Sequence, residues 1–220
     1  MINVNEIFAT LQGEGVFAGV PATFIRLQGC PVGCPWCDTK HTWPTASRKE
    51  VDIDVMLHKT GDAPTWSPMT AEQIEDVALE LGQRHFVITG GEPAAQDIYD
   101  LTVLLGRHGR VQIETSGTYP VNVSIDTWVT VSPKIDMPGG LDVLPGVMIR
   151  ADEIKLPVAD QEDIEKFLEV IEPLGDLIER DKISLQPVSL DSAATKLCIE
   201  ACRAHNWRLS IQTHKLISVR

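Results

Sequence analysis

Short apolar runs alternate with amphipathic segments along most of the chain. Seven runs of four or five residues have the length and the β-branched content of buried parallel strands. These predicted strands are Thr23–Leu27, His85–Thr89, Val111–Thr115, Trp128–Val131, Glu153–Leu156, Ile183–Gln186 and Arg208–Gln212. Strands that alternate with helices over this length predict a parallel α/β sheet, either open and doubly wound or curved into a barrel.

The segments between these strands carry helix start signals followed by one apolar stripe each. The predicted helix N-caps are Thr70, Asp97, Asp160 and Asp191. Gln73 completes a capping box with the first of them. Gly82 is expected to end the first helix and Pro173 the third, while the second runs to about Gly109.

The region from residue 43 to residue 69 interrupts the alternation. It contains Pro44, Gly61, Pro64 and Pro68, with room for one short helix near Val51–Lys59. A chain of 220 residues suits a single domain with a full core. We therefore expect one domain over residues 1–220, with an inserted loop at about 43–69.

Composition narrows the class of ligand. The formal net charge is −12, with 31 acidic and 19 basic residues, which disfavours the phosphate backbone of a nucleic acid. No apolar stretch is long enough to cross a bilayer, and the amino terminus lacks the pattern of a signal peptide. We expect a cytosolic protein that acts on a small molecule and binds neither nucleic acid nor membrane.

Polar and glycine-rich segments follow the predicted strands. They are Gly90-Gly91-Glu92-Pro93, Ser116-Gly117, Ser132-Pro133-Lys134 and Thr213-His214-Lys215. Active sites of parallel α/β folds lie at the carboxyl ends of the strands, so these segments are expected to form one site.

Three of the five cysteines follow the first predicted strand. Cys30, Cys34 and Cys37 have a spacing that can place three thiolates around a four-iron, four-sulfur cluster. A cube held by three thiolates leaves one iron without a protein ligand. That open iron is what S-adenosylmethionine (SAM) needs in order to chelate the cluster and be cleaved reductively.

Other interpretations of the cysteines stay open on the residues alone. A structural zinc could take His41 as its fourth ligand. Three free thiols that merely cluster would be an oxidation liability. Cys198 and Cys202 lie one turn apart on a predicted helix, and the apolar stripe of that helix favours core thiols.

Two of these elements together resemble the radical SAM superfamily. One is the cysteine loop with Trp36 before its third cysteine, a position that lies against adenine in that superfamily. The other is Gly90-Gly91-Glu92-Pro93, which resembles the element whose backbone meets the amino group of SAM.

A narrower resemblance covers nearly the whole chain. The motifs that carry it are Leu11-Gln12-Gly13-Glu14-Gly15, Arg26-Leu27-Gln28-Gly29-Cys30, Trp36-Cys37-Asp38-Thr39, Glu114-Thr115-Ser116-Gly117, Ser132-Pro133-Lys134 and Gln212-Thr213-His214-Lys215. They are similar to the 7-carboxy-7-deazaguanine synthase family. The resemblance implies a homodimer with a partial, shortened TIM-like (β/α) barrel of the radical SAM type.

The same resemblance implies the reaction. Members of the family contract 6-carboxy-5,6,7,8-tetrahydropterin to 7-carboxy-7-deazaguanine with loss of ammonia, in queuosine and deazapurine biosynthesis. They are carbon–nitrogen lyases that use a 4Fe-4S cluster, SAM and Mg2+. An electron donor, such as a flavodoxin, is also expected.

The resemblance also assigns site residues. Those implied to contact SAM are Trp36, Cys37, Asp38, Gly91, Glu92, Ser132, Pro133 and Lys134. Those implied to contact the substrate are Leu11, Gln12, Gly13, Glu14, Arg26, Thr89, Glu114, Gln186 and His214. For Arg26 the chemistry agrees, because a guanidinium fork suits the pterin carboxylate, although a surface salt bridge is the alternative.

The magnesium ligand differs between the two lines of reasoning. Residue chemistry alone favours Asp38, since carboxylates are the commoner Mg2+ ligands. The resemblance implies Thr39, whose hydroxyl would bind Mg2+ together with substrate oxygens. Two rival functions remain at this point: another radical SAM enzyme, such as a glycyl-radical activase, and a zinc-stabilised binding module.

Overall fold

A computed structural model describes residues 1–219, and its centre is one mixed sheet of nine strands. The strands are β1 (Ile2–Leu11), β2 (Pro21–Leu27), β3 (Ser67–Met69), β4 (His85–Thr89), β5 (Arg110–Thr115), β6 (Trp128–Val131), β7 (Glu153–Val158), β8 (Ile183–Pro187) and β9 (Arg208–Leu209). Their order is β3-β1-β2-β4-β5-β6-β7-β8-β9. Strands β2 and β4 to β9 are parallel, whereas β1 is antiparallel to both β2 and β3. The predicted α/β class is confirmed.

The sheet is strongly curved but open. Glu14, in the turn after β1, forms an ion pair with Lys155 of β7, five strands away in the hydrogen-bonded order. Five strand spacings would separate them by about 24 Å in a flat sheet. Contact across that span requires the sheet to curl around a central space, which agrees with the expected partial barrel.

The two faces of the sheet differ in polarity because side chains alternate along each strand. On β5, Val111 and Ile113 are buried on the outer face, while Gln112 and Glu114 point into the curl. The same alternation gives β7 an outer row of Ile154, Leu156 and Val158. The apolar core therefore lies between the sheet and the helices, and polar groups line the inside.

Seven α-helices complete the fold over residues 1–219. They are α1 (Ile53–Leu57), α2 (Ala71–Glu80), α3 (Tyr99–Gly106), α4 (Pro145–Arg150), α5 (Gln161–Ile171), α6 (Ser192–His205) and α7 (Thr213–Ile217). The predicted capping box at Thr70 and the predicted caps at Asp160 and Asp191 are confirmed, each worth about 1 kcal/mol, and Asp163 completes a capping box with Asp160. Asp97 precedes the true N-cap, Ile98, and α3 ends at Gly106 rather than near Gly109.

Two strands were not predicted, and each has a local reason. A β-bulge between Val4 and Glu6 breaks the alternation of β1, so that Asn5 and Glu6 are both buried. Strand β3 is three residues long and contains Pro68, which an edge strand tolerates. Within the expected insertion at 43–69, α1 forms as predicted and β3 joins the sheet.

The last predicted strand is shorter than expected. Strand β9 contains only Arg208–Leu209, because the chain then turns inward and the Ser210 hydroxyl accepts a hydrogen bond from the Gly15 amide. None of the helices described over residues 1–219 is long and apolar enough to cross a bilayer.

Candidate active site

One cavity of about 300 Å³ opens at the carboxyl ends of the parallel strands. Every site residue predicted from the sequence lines it, with the exception of Pro133. Ser132 and Lys134 line the cavity, whereas Pro133 between them is buried and does not line it. The predicted contact of Pro133 with SAM is therefore not supported.

The three clustered cysteines share this cavity as free thiols. Burial raises the pKa of Cys30 to about 11 and also raises the pKa of Cys34. Iron binds thiolates, so binding of a cluster must displace these protons. Cys198 and Cys202 are buried in the core as expected, and burial raises the pKa of Cys198 to about 12.

The donor set fits a cluster better than a single metal ion. Among residues 1–219, no three His, Cys, Asp or Glu side chains converge closely enough to hold one ion. His41 does not line the cavity, and burial lowers its pKa. A cube binds its thiolates at separate corners, so three cysteines around one cavity suit it.

Thr42 links the cysteine loop to the glycine-rich loop after β4. Its side chain is fully buried. Its hydroxyl donates a hydrogen bond to the Thr39 carbonyl at 2.8 Å and accepts one from the Gly91 amide at 3.0 Å. The Glu92 amide donates to the Gly29 carbonyl at 2.8 Å. A Cβ on Gly91 would lie 2.4 Å from that carbonyl oxygen, so only glycine allows this approach.

The carboxylate of Glu92 forms its hydrogen bonds within the protein. It accepts hydrogen bonds from the Thr115 hydroxyl at 2.6 Å and from the amides of Ser116 and Ala94. Glu92 is 1% exposed. Its side chain therefore joins the glycine-rich loop to the end of β5, which leaves the backbone of that loop to face a ligand.

An aromatic and cationic surface lies beside the cysteines. The Lys134 ammonium lies 5.0 Å from the centre of the Trp36 ring and donates to the Ser132 hydroxyl. Trp36 is 40% exposed, so a flat face is available to an adenine ring. Asp38 lies 3.6 Å from the Lys215 ammonium.

Arg26 is held at a fixed position at the end of β2. Its Nε donates to Glu6 at 2.7 Å, and its guanidinium lies over the Phe8 ring. Gly90 packs against its side chain so closely that a Cβ there would lie 2.0 Å from the Arg26 Cγ. Arg26 therefore forms the salt bridge that was the alternative prediction, with Glu6 as its partner. It also lines the cavity, where the predicted ligand contact requires it to be.

Lys155 is a site residue that sequence reasoning missed. Its ammonium forms an ion pair with Glu14 and lies 3.5 Å from Oε1 of Glu114. Burial alone raises the pKa of Glu14, but Lys155 outweighs burial and the pKa falls to about 2. A lysine inside an apolar predicted strand was the available signal, because burying that charge requires a partner.

The carboxyl-terminal segment closes the cavity against the turn after β1. Gln212 donates to Oε1 of Glu14 at 2.7 Å, and Lys215 donates to Gln212 at 2.8 Å. A Cβ on Gly13 would lie 2.1 Å from Nδ1 of His214. Gln212 and Lys215 were not predicted as site residues, although they belong to the motif that contains His214.

Three cysteines, a glycine-rich loop and an aromatic surface at the mouth of a partial barrel define a radical SAM enzyme. Residues 24–130 match the family model of the radical SAM superfamily. A crystal structure titled as QueE from Escherichia coli superposes with a TM-score of 0.90 at 52% identity, covering 97% of this chain and 94% of that one.

Curated relatives narrow the assignment. The 7-carboxy-7-deazaguanine synthase of Escherichia coli K12 is 52% identical over 98% of both chains. The protein of the same name from Bacteroides thetaiotaomicron is 36% identical over 100% of both chains. The chain belongs to the 7-carboxy-7-deazaguanine synthase family. Membership of the superfamily implies a 4Fe-4S cluster and SAM, and it sets aside the zinc-stabilised binding module.

Proposed function

We propose that this enzyme converts 6-carboxy-5,6,7,8-tetrahydropterin to 7-carboxy-7-deazaguanine with loss of ammonia, in a reaction that depends on SAM and Mg2+. One observation carries the proposal: the three cysteines and all nine predicted substrate-contacting residues line the same cavity. The family membership and the names of its relatives support the substrate class.

Cys30, Cys34 and Cys37 would hold the cluster, and Trp36, Gly91, Ser132 and Lys134 would hold SAM. When bound, the cluster and SAM supply the radical that removes a hydrogen atom from C6 of the pterin. The hydrogen bond from the Gly91 amide to Thr42 orients the backbone of the glycine-rich loop toward the cavity. Trp36 offers its face to the adenine.

Arg26 and two carboxylates would fix the pterin at opposite ends. Because Nε of Arg26 is bound to Glu6, its terminal nitrogens are the groups proposed to bind the substrate carboxylate. Glu14 and Glu114 would accept hydrogen bonds from the amino and ring N–H groups. A ring held at both ends keeps C6 in one position while its bonds rearrange.

Thr39 is proposed to bind Mg2+, which would neutralise charge on the substrate carboxylate. The Thr39 hydroxyl lies 3.5 Å from Sγ of Cys37 and lines the cavity. One hydroxyl cannot hold Mg2+ by itself, so substrate oxygens and water would complete the site. Asp38 is the weaker candidate, because Lys215 lies beside its carboxylate.

Further proposals concern assembly and location. We propose a homodimer, since Ile211, Leu216 and Ile217 leave apolar side chains exposed next to the site. We also propose a single radical SAM domain, a flavodoxin-like electron donor, and a cytosolic location, where free thiols stay reduced.

Anaerobic reconstitution tests the function. Protein with a cluster, incubated with reductant, SAM, Mg2+ and the carboxytetrahydropterin, is expected to give the deazaguanine and ammonia. Release of deoxyadenosine at a rate that does not depend on the pterin would contradict the proposed substrate and favour another radical SAM reaction. Omission of SAM or reductant provides the control.

A further inference from the structure

Lys155 lines the cavity but is not among the predicted site residues. It is the third residue of β7, and its side chain is 4% exposed. Its two carboxylate partners come from other elements, Glu14 from the turn after β1 and Glu114 from β5. One buried ammonium therefore connects β7, the turn after β1 and β5 at the part of the cavity proposed to bind the substrate.

The three groups carry one positive and two negative charges in a buried site. Both carboxylates raise the pKa of Lys155, so the ammonium stays charged. Without it, burial would raise the pKa of Glu14, and the two carboxylates would repel each other. Lys155 is thus the positive charge that lies between the two carboxylates and offsets their repulsion.

Amide donors fix the same carboxylates and leave acceptor sites unused. Gln212 donates to Oε1 of Glu14 at 2.7 Å, and Gln12 donates to Oε1 of Glu114 at 3.0 Å. An ionised carboxylate has about four acceptor positions, so each acid can still accept from a ligand. The pair presents hydrogen-bond acceptors toward the cavity and needs a ligand edge rich in N–H donors.

We propose that Lys155 is a positioning residue that determines specificity for the aminopyrimidinone edge of the pterin. It holds the carboxylates of Glu14 and Glu114 at a fixed separation, so that the 2-amino group and a ring N–H are bound together. The inference rests on the proposed function, and it adds the group that makes those two acids selective. Lys155 itself acts through the carboxylates.

A purely structural role for Lys155 predicts a different result. Loss of a fold-stabilising ion pair would lower the stability of the whole protein and would weaken the binding of SAM and pterin alike. Loss of a positioning charge would change pterin recognition and would leave the cluster and SAM binding unaltered. The two roles are therefore separable by measuring each ligand independently.

The first test compares Lys155→Met and Lys155→Arg with the wild type as anaerobic holoenzymes. We expect Lys155→Met to raise KM for the pterin by roughly tenfold or more, because a buried charged acceptor is lost or misplaced. Iron content and the KM for SAM should stay within about twofold, since neither the three cysteines nor Trp36 forms a hydrogen bond or ion pair with Lys155. Lys155→Arg should recover much of the affinity.

The pH profile gives a second readout. In Lys155→Met the pKa of Glu14 rises, so KM for the pterin should fall as pH increases from about 6 to about 9, while the wild-type value changes less. Glu114, Glu153, Lys134 and His214 also face this region. They are present in both proteins, so the difference between the two profiles isolates Lys155.

Analogue discrimination completes the test. The wild type should bind a carboxytetrahydropterin lacking the 2-amino group roughly tenfold more weakly than the substrate, and Lys155→Met should lose most of this discrimination. Unchanged pterin KM and discrimination in Lys155→Met, or parallel loss of SAM affinity and iron, would overturn the inference. A wild type that does not turn over the pterin would instead refute the proposed function.

A double variant covers the case in which Lys155→Met does not fold. Glu14→Gln with Lys155→Met keeps the net charge of the three groups and should fold. If Lys155 acts through Glu14, adding Lys155→Met to Glu14→Gln should raise the pterin KM by only about twofold. A rise of roughly tenfold or more over Glu14→Gln alone would contradict the inference.

Discussion

Thr213 donates both its backbone N–H, at 2.9 Å, and its hydroxyl, at 3.0 Å, to the carbonyl oxygen of Gly13. The two residues are 200 positions apart. This double hydrogen bond places the segment that contains His214 against the turn that contains Glu14. The cavity is consequently closed by segments from opposite ends of the chain.

Gly13→Ala is expected to weaken pterin binding. The new Cβ would lie 2.1 Å from Nδ1 and 2.7 Å from Cβ of His214, so the carboxyl-terminal segment must move. We expect a rise in KM for the pterin of roughly tenfold, corresponding to about 1.4 kcal/mol. Steady-state kinetics of the holoenzyme provides the measurement.

Gly106→Ala is the matched control for this substitution. Gly106 lies in α3, and no atom comes within 4 Å of a Cβ placed there. It should leave the KM unchanged and stabilise the protein by up to about 1 kcal/mol. Equal kinetics for the two alanine variants would refute the proposed contact between Gly13 and His214.

Thr42→Val should loosen the connection between the cysteine loop and the glycine-rich loop. Valine has the shape of threonine but cannot accept from the Gly91 amide, so a polar group loses its partner at a cost of about 1–3 kcal/mol. We expect a lower melting temperature and weaker SAM binding. Thr42→Ser should restore both, and a normal SAM affinity in Thr42→Val would contradict the role of this hydroxyl.

Cys34→Ala should abolish both cluster assembly and turnover. Two thiolates are too few to hold the cube in the arrangement that radical SAM enzymes use. Iron analysis and electron paramagnetic resonance after anaerobic reconstitution measure the effect. Cys198→Ala, which removes a buried thiol of the core, should keep the cluster signal, and normal activity of Cys34→Ala would exclude the assignment.

Arg26→Ala should weaken binding of the pterin while leaving the cluster intact. Loss of a charged, two-pronged donor to a carboxylate is expected to raise KM by roughly tenfold to a hundredfold. Arg150→Ala removes a guanidinium that pairs with Asp152 outside the cavity, and it should leave KM unchanged. An unaltered KM in Arg26→Ala would remove Arg26 from the carboxylate site.

Removal of Mg2+ should lower turnover without affecting SAM binding. Chelation with EDTA takes away the ion that Thr39 is proposed to share with the substrate carboxylate, and added Mg2+ should restore the rate. Thr39→Val should raise the Mg2+ concentration needed for half-maximal activity, and Thr39→Ser should not. Full activity in EDTA would count against a magnesium site.

Several features could be predicted from local sequence because their causes are local. The helices of Thr70, Asp160 and Asp191 begin where a capping side chain precedes an apolar stripe. The parallel strands are short β-branched runs whose outer rows are apolar. Strand β1 was not predicted because its bulge interrupts the alternation of apolar and polar residues. Strand β3 was not predicted because three residues that include a proline are too few to show a strand pattern.

The spacing of Cys30, Cys34 and Cys37 within eight residues predicted, from the sequence by itself, three thiolates in one loop. Together with Gly90-Gly91-Glu92-Pro93 it carried the resemblance to the radical SAM superfamily. The predicted cavity residues were those that the family resemblance implied, and several of them follow predicted strands. Only the tertiary structure decided that Lys155 lies between Glu14 and Glu114, and that Thr213 binds Gly13. Those contacts depend on how far the sheet curls, which is set by packing summed over the whole chain and not by any local stretch of residues.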